Sequence, residues 1–273
     1  MSTASYTINN DPAQYQSLGY CIRPELVDMA TISKARSSLD QMITALDEGE
    51  RPESLVEPHV LADDWQFWLE LCRDERVLDA VQQCMQCDEV TLLMSHLIVK
   101  PAGDGLKTHW HQDNTYWPSV DGTDVTTVWL ALDNVDTENA AMWVIPDTHA
   151  GHEELAKLPT RGDDLLKVKV HVTSDMEASA IPCNLTRGSA SLHDSFIIHG
   201  SEANLSNRRR AGYTMRYANA ATVSVDVPTH NKPVYYVRGD GNSLANDYID
   251  LRPGLPLPSE SGAATRRKGQ FGR

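Results

Sequence analysis

From about residue 90 onward the chain is built of short apolar runs separated by turn residues, and this pattern most limits its fold. "VTLLMSHLIVKP" (90–101) is rich in branched side chains and stops at a proline, as a β-strand does. "PAGDG" follows as a turn. Further runs come at "KTHWHQD", "DVTTVWLALDNV" (124–135), "AAMWVIPDTH" (140–149), "LKVKVHV" (166–172), "SASLHDSFIIHGS" (189–201) and "RAGYTMRYANA" (210–220). The last two are expected to pair with each other around a polar turn. Many short strands bury their apolar faces only by closing or stacking into sheets.

The first 90 residues read differently. "ELVDMATISKARSSLDQMITALDEGE" (25–50) has helical spacing, and "DDWQFWLELCRDERVLDAVQQCMQ" (63–86) reads as two short helices or one bent one. The expected fold is therefore mainly β with N-terminal helices and a jelly-roll core. One domain is expected over residues 1–273, with a helix-rich support region (1–89), a β core (90–235) and a loop-rich segment (240–273). The last dozen residues, rich in Gly, Ser and charge, are expected to be disordered. No internal repeat is present.

The formal net charge of -14 opposes a nucleic-acid or anionic-membrane surface. Arg266-Arg267-Lys268 is too short a basic run to change that and reads as a solvated tail feature. No apolar run reaches the roughly 18 residues of a membrane span. The N-terminal stretch lacks a basic region followed by an apolar one, so no secretory signal is expected. Five cysteines are an odd number, which fits reduced thiols in a cytoplasmic setting. Cys84 and Cys87 have no second ligand pair for zinc and read as packing residues on a helix.

"THWHQDNTYWP" (108–118) places His109, His111 and Asp113 on alternate positions, one face of a strand. A His-x-Asp pair offers a divalent metal two ligands, and a distant His completes two imidazoles and a carboxylate. That set leaves about three positions open on an octahedral ion and suits ferrous iron that handles dioxygen. Alone, His-x-Asp arises often by chance. Support comes from "HDSFIIHGSEANLSNRRR" (193–210), where His199 ends an apolar strand and Arg210 opens the next, eleven residues on. A hairpin of that size is expected to bring them together. A metal beside an arginine makes a site for a dicarboxylate, chelated at one end and met by the guanidinium fork at the other.

"HLIVKP", "WHQDNTYWP", "VWLALDNVDTENAAMWVIPDTH" and "HGSEANLSNRRR" resemble, in order and spacing, the successive motifs of the phytanoyl-CoA dioxygenase family of iron(II)/2-oxoglutarate-dependent oxygenases. The resemblance spans about residues 90–220. It implies a double-stranded β-helix (jelly roll, cupin-like) core. It implies that His111, Asp113 and His199 are the catalytic metal ligands and that Arg210 holds the far carboxylate of 2-oxoglutarate. Ser201 and Trp129 match positions that help bind that co-substrate; His96 and Thr108 are further candidates. His109, Tyr116 and Trp117 are expected at the wall of the substrate pocket, and His193 in the core or hydrogen-bonded. Arg208 and Arg209 are expected in solvent. Arg216, deeper on Arg210's face, is the second candidate for the carboxylate.

The implied cofactors are Fe(II), 2-oxoglutarate and O2. The implied reaction oxidises an unactivated C–H bond of a small molecule while 2-oxoglutarate becomes succinate and carbon dioxide. Asp113 separates the chain from halogenating relatives, which lack this carboxylate, and favours hydroxylation. Desaturation or ring formation is the alternative outcome, and a non-catalytic jelly-roll module that binds a metal or small ligand is the competing class. Two departures stand out: Asn-Gly-Cys reads Asn139-Ala140-Ala141, and Pro-Gly-Ser-His reads Pro146-Asp147-Thr148-His149. The acidic balance disfavours an acyl-CoA, whose phosphates want basic partners. Neither the substrate nor the oligomeric state is legible.

Overall fold

Aspartate caps set where two of the helices begin. The structure, a computed structural model, describes residues 12–160 and 165–260. The expectations of a disordered C-terminal dozen and a solvated Arg266-Arg267-Lys268 lie outside the described residues. Helix α1 spans Pro12–Leu18 and α2 Met29–Thr44. Asp28 caps α2 by accepting the Thr31 N–H at 2.9 Å. At the other end the chain leaves the helix after Thr44, and Glu50 turns back to accept the Asp47 N–H. The helix is thus shorter than the 25–50 stretch predicts. α3 (Pro58–Leu61), α4 (Trp65–Cys72) and α5 (Glu75–Met85) follow. Asp74 accepts the Arg76 N–H and starts α5 afresh, so residues 63–86 hold two helices. Cys84 lies on α5, its Sγ packed 3.4 Å from that of Cys21, and both thiols are free. No helix among the described residues is long and apolar enough to cross a membrane.

The strands are β1 (Tyr20–Arg23), β2 (Val90–Lys100), β3 (Thr108–His111), β4 (Val120–Asp121), β5 (Val125–Ala131), β6 (Trp143–Ile145), β7 (Lys157–Pro159) and β8 (Val168–Val170). They continue with β9 (Ile181–Pro182), β10 (Ala190–Asp194), β11 (Ile198–Ser201), β12 (Arg210–Asn219), β13 (Ser224–Val225), β14 (Tyr235–Arg238) and β15 (Ile249–Asp250). A seven-stranded sheet runs β1-β10-β5-β12-β2-β14-β15, and a four-stranded sheet runs β3-β11-β6-β9. The two make the jelly-roll core. Trp129 and Ala131 of β5 pack with Val144 of β6 between them. β1 comes from the region read as helical, and β15 from the segment read as loop, so each supplies an edge of the large sheet.

The expected hairpin of 189–201 with 210–220 does not form. The first stretch is two strands, β10 and β11, in different sheets. The Asp194 carboxylate accepts the Phe196 N–H at 2.8 Å and the Asp194 carbonyl accepts the Ile197 N–H at 3.1 Å. That tight turn carries the chain from the large sheet to the small one. β12 pairs instead with β5 and β2.

β12 explains the layering. Ala211, Tyr213, Met215 and Tyr217 point outward and join one core with Ile32, Leu39, Trp68, Leu78 and Val81 of the helices. Trp68 is fully buried edge-on to Tyr213, ring centroids 4.8 Å apart. The alternate residues Arg210, Gly212, Thr214 and Arg216 point inward. A Cβ at Gly212 would lie 2.3 Å from Cζ2 of Trp129, so only glycine admits the indole there. Ala140 and Asp147 have φ of 67° and 66°. These are the two places where the sequence departs from the family's glycines, and the left-handed backbone is kept at a cost of about 1 kcal/mol or more. The Asn139 amide clamps the first turn by donating to the carbonyls of Asn134 and Arg209.

Gly212→Ala should therefore lower stability by about 1–3 kcal/mol, because the new methyl has no room to relax. In denaturant melts the double variant Gly212→Ala/Trp129→Leu should lose less than the sum of the two single variants. Strict additivity would contradict the close approach.

Candidate metal and co-substrate site

Cross-strand register brings the two histidines together. His199 on β11 lies opposite His111 on β3, with ring centroids 4.1 Å apart. The Nδ1 of His111 lies 2.8 Å from the His109 carbonyl, and that of His199 lies 3.0 Å from the Ile197 carbonyl. A carbonyl only accepts, so each Nδ1 carries the proton and each Nε2 presents a lone pair. Asp113 arrives by another route than alternation predicts. β3 ends at His111, and Asp113 opens a 3-10 turn, Asp113–Tyr116. The turn sets Oδ1 3.7 Å from His111 Nε2 and 3.8 Å from His199 Nε2. Among the described residues these three form the one buried cluster whose ligand atoms lie close enough to hold a metal, all within 4.8 Å of one another. His109 is outside it.

The other Asp113 oxygen faces the large sheet. Oδ2 accepts from Thr127 Oγ1 at 2.8 Å, with Arg216 Nε at 3.6 Å and His193 Nε2 at 3.8 Å. Burial works against ionisation here, but Arg216 and the imidazoles outweigh it and hold the carboxyl well below its usual range. Burial, helped by His111 and His193, keeps His199 well below the ordinary imidazole value and so neutral, as a metal ligand must be.

Arg210 is 1% exposed, and its guanidinium lies 5.4 Å from the Trp129 ring. Nε and Nη2 have no hydrogen-bond partner, and among the described residues no carboxylate reaches ion-pair distance. Burial pushes its pKa down to about 9. Beside it on β2 is Lys100, which sequence reasoning missed although it is the lone charge in an apolar strand. Burial, with Arg210, pushes it down to about 6, and Nζ donates to the carbonyls of Ser201 and Glu202. Ser201 is buried on β11 opposite Thr108, whose buried Oγ1 has no partner.

The remaining candidates scatter. Tyr116 stands edge-on to His111 at 5.8 Å and donates its hydroxyl to the Val168 carbonyl. Trp117 is buried beneath Arg216. His96 faces inward opposite Thr214, but its Nε2 is 3.2 Å from Glu57 Oε1. Glu57 also takes Lys232 Nζ at 2.6 Å and the Ser95 N–H at 3.1 Å. No local pattern could reveal that cluster, since its members lie far apart in sequence. Arg209 is not solvated as expected; it pairs with Asp133 at 2.8 Å and with Asp40. Arg208, half exposed, pairs with Asp136 at 2.8 Å.

The sequence profile described as phytanoyl-CoA dioxygenase matches residues 15–212. The chain belongs to the phytanoyl-CoA dioxygenase family. Among curated relatives, peroxisomal phytanoyl-CoA dioxygenase of Bos taurus is 25% identical over 150 residues, 53% of this chain and 44% of that protein. A probable phytanoyl-CoA dioxygenase of Caenorhabditis elegans is 27% identical over 157 residues, 55% of this chain and 50% of that protein. The chain thus spans about half the length of the curated relatives it matches. Among solved structures, the non-heme monooxygenase ThoJ without ligand has a TM-score of 0.71 at 20% identity, over 92% of this chain and 89% of that one. The 2-oxoglutarate-dependent epimerase SnoN has a TM-score of 0.61 at 15% identity, over 89% and 94%. These likenesses show the fold. His111, Asp113, His199 and Arg210 all lie within the stretch matched to the family, and Arg216 lies just past it.

One buried histidine makes stability sensitive to acid. His59 is fully buried with Nδ1 2.6 Å from Ser95 Oγ, and burial lowers its pKa to about 4. In the unfolded chain it takes a proton near its ordinary 6.5. Between those values the unfolded state binds more protons, so stability falls as pH drops from about 6.5 to 4. The loss from His59 is up to about 3 kcal/mol. Melting the protein across that window should give a flatter pH profile for His59→Gln than for wild type, the other buried histidines keeping some slope. Identical profiles would contradict the assignment.

Proposed function

We propose that the chain is an Fe(II)/2-oxoglutarate-dependent dioxygenase that oxidises an unactivated C–H bond of a small molecule, hydroxylation being the favoured outcome. One observation carries this reading. A cluster of two imidazoles and a carboxylate, with ligand atoms within 4.8 Å of one another, shares one interior with a buried arginine that has no ion-pair partner among the described residues. A stored metal ion alone has no need of that arginine; a dicarboxylate that chelates the ion does.

When bound, iron with 2-oxoglutarate and dioxygen supplies the oxidising chemistry, the co-substrate leaving as succinate and carbon dioxide. The chain's own part is positioning. His111 and His199 present Nε2 because their Nδ1 protons are held by carbonyls. Asp113 presents Oδ1 because Thr127 occupies Oδ2. Three protein ligands leave about three positions for the reactants. Arg210 offers an unpaired fork to the far carboxylate of 2-oxoglutarate. Trp129 covers it and excludes water, while Ser201 and Thr108 supply hydroxyls nearby. His96 lies toward the same interior but is held by Glu57, so we assign it to the pocket wall with His109, Tyr116 and Trp117. Retention of Asp113 leaves no protein-vacated position for a halide and favours hydroxylation. Solved neighbours include a monooxygenase, an epimerase and a carbocyclase, so ring formation or epimerisation is the second reading of the outcome.

Binding measurements test the assignment without a substrate. Titrated with Mn(II), His111→Ala and His199→Ala should lose binding, while His109→Ala should bind as wild type. Equal loss in all three would contradict the ligand set. Thr127→Val removes the hydrogen bond to the ligand carboxylate and should weaken Mn(II) by about 10–100-fold. Arg210→Ala should keep Mn(II) and bind 2-oxoglutarate on the order of a hundredfold or more weaker, from roughly 3–5 kcal/mol for an unpaired buried charge. Unchanged 2-oxoglutarate affinity in that variant would show that another group holds the carboxylate.

A further inference from the structure

β12 carries a second buried arginine on the inward face. Arg216 is 7% exposed, and its guanidinium lies 5.7 Å from the Trp117 ring, much as Arg210 lies over Trp129. Its one hydrogen bond among the described residues runs from Nη1 to Thr214 Oγ1 at 2.8 Å. Nε makes none. The nearest anion is Asp113, whose Oδ2 stands 3.6 Å from Nε, within ion-pair range but too long for a hydrogen bond. Thr127 already donates to that oxygen.

Asp113 is a poor lasting partner for this cation. A divalent ion on Oδ1 takes up the carboxylate's charge and leaves the guanidinium uncompensated in a low-dielectric interior. Glu57, another buried carboxylate, is already shared by Lys232 and His96. Arg210 is six residues away, roughly 20 Å of strand, so the two arginines do not share one small anion. Among the described residues the one carboxylate within ion-pair range of this buried cation is thus itself a metal-ligand candidate, which leaves the guanidinium open to an anion that arrives with a reactant. The family match ends at residue 212, so it does not cover this position.

On the oxygenase reading above, we propose that Arg216 anchors a carboxylate of the primary substrate, gripping it with the Nε–Nη2 edge of the guanidinium while Trp117 covers the planar face. The substrate class is then a small organic acid. The substrate's carboxylate replaces Asp113 as the counter-ion of Arg216 when the metal is bound. If Arg216 served only to orient Asp113, its loss would weaken the metal. As a substrate anchor it is a cation beside a cation site, and its loss leaves metal affinity equal or higher.

The test uses the full chain loaded with Mn(II) and 2-oxoglutarate, a complex that does not turn over. Its binding is measured by calorimetry against matched pairs: N-acetyl amino acids and short aliphatic and aromatic carboxylic acids, each beside its primary amide. Acids should bind at least about tenfold tighter than their amides, the value of a hydrogen bond to a charged group. Arg216→Gln should abolish that preference while keeping wild-type or better Mn(II) affinity and wild-type 2-oxoglutarate affinity. Arg216→Lys should keep part of the preference. Should Arg216→Gln fail to fold, the wild-type acid-to-amide ratio and Arg216→Lys decide. Amides equal to acids, no acid bound, or a loss of Mn(II) affinity in Arg216→Gln overturns the proposal. Failure of wild type to bind Mn(II) and 2-oxoglutarate is a different result, one that overturns the oxygenase reading itself.

Discussion

The site depends on one buried carboxylate whose two oxygens face different sheets. Asp113 turns Oδ1 toward the imidazoles of the small sheet and Oδ2 toward Thr127, His193 and Arg216 of the large one. A buried carboxylate is costly unless its oxygens are satisfied. Here the Thr127 hydroxyl donates to Oδ2, and Thr127 lies opposite both Arg216 and His193 in register. The two sheets must therefore meet at a fixed separation for the triad to exist. The helices packed on the outer face of the large sheet keep it in place, and Trp68 against Tyr213 is the centre of that contact.

The interior of this jelly roll inverts the usual strand pattern. On β12 the apolar residues face the helices, and the polar and charged ones face inward. Arg210, Lys100 and Arg216 are all buried there. Lys100 is accommodated by carbonyls and by a strongly lowered pKa, which allows it to be neutral. The arginines have no such escape. Each lies by a tryptophan, each keeps a buried Nε without a hydrogen-bond partner, and they share one face of one strand. Buried guanidinium nitrogens without partners make this interior costly to the fold.

Much of this was legible in the sequence, though sometimes for the wrong reason. The three residues that meet in the buried cluster are those named by the His-x-Asp pair, the distal His199 and the resemblance. The geometric argument of alternation failed, because the strand stops at His111 and a turn delivers Asp113. Likewise Arg210 lies in the shared interior, yet the hairpin that was to bring it near His199 does not exist. An aspartate-closed turn at Asp194–Ile197 moves the chain between sheets, and apolar runs on either side of such a turn look continuous. Helix ends were misread where caps outrank periodicity, as at Asp28. The Glu57–His96–Lys232 cluster and the partners of Lys100 were illegible, because side chains distant in sequence meet only in the folded sheet. Ala140 and Asp147 stand where the family's motifs have glycine, and the backbone there is left-handed all the same.

The central claim is that this interior couples a metal ion to a dicarboxylate for oxidation. The most direct measurement supplies iron(II), dioxygen and 2-oxoglutarate labelled at the carboxylate beside its keto group, and follows labelled carbon dioxide and succinate. The account predicts that both are released in equal amounts, that release needs iron and dioxygen, and that a true substrate accelerates it. Protein that binds iron and 2-oxoglutarate tightly, yet releases neither product with or without a broad set of organic acids, would contradict it.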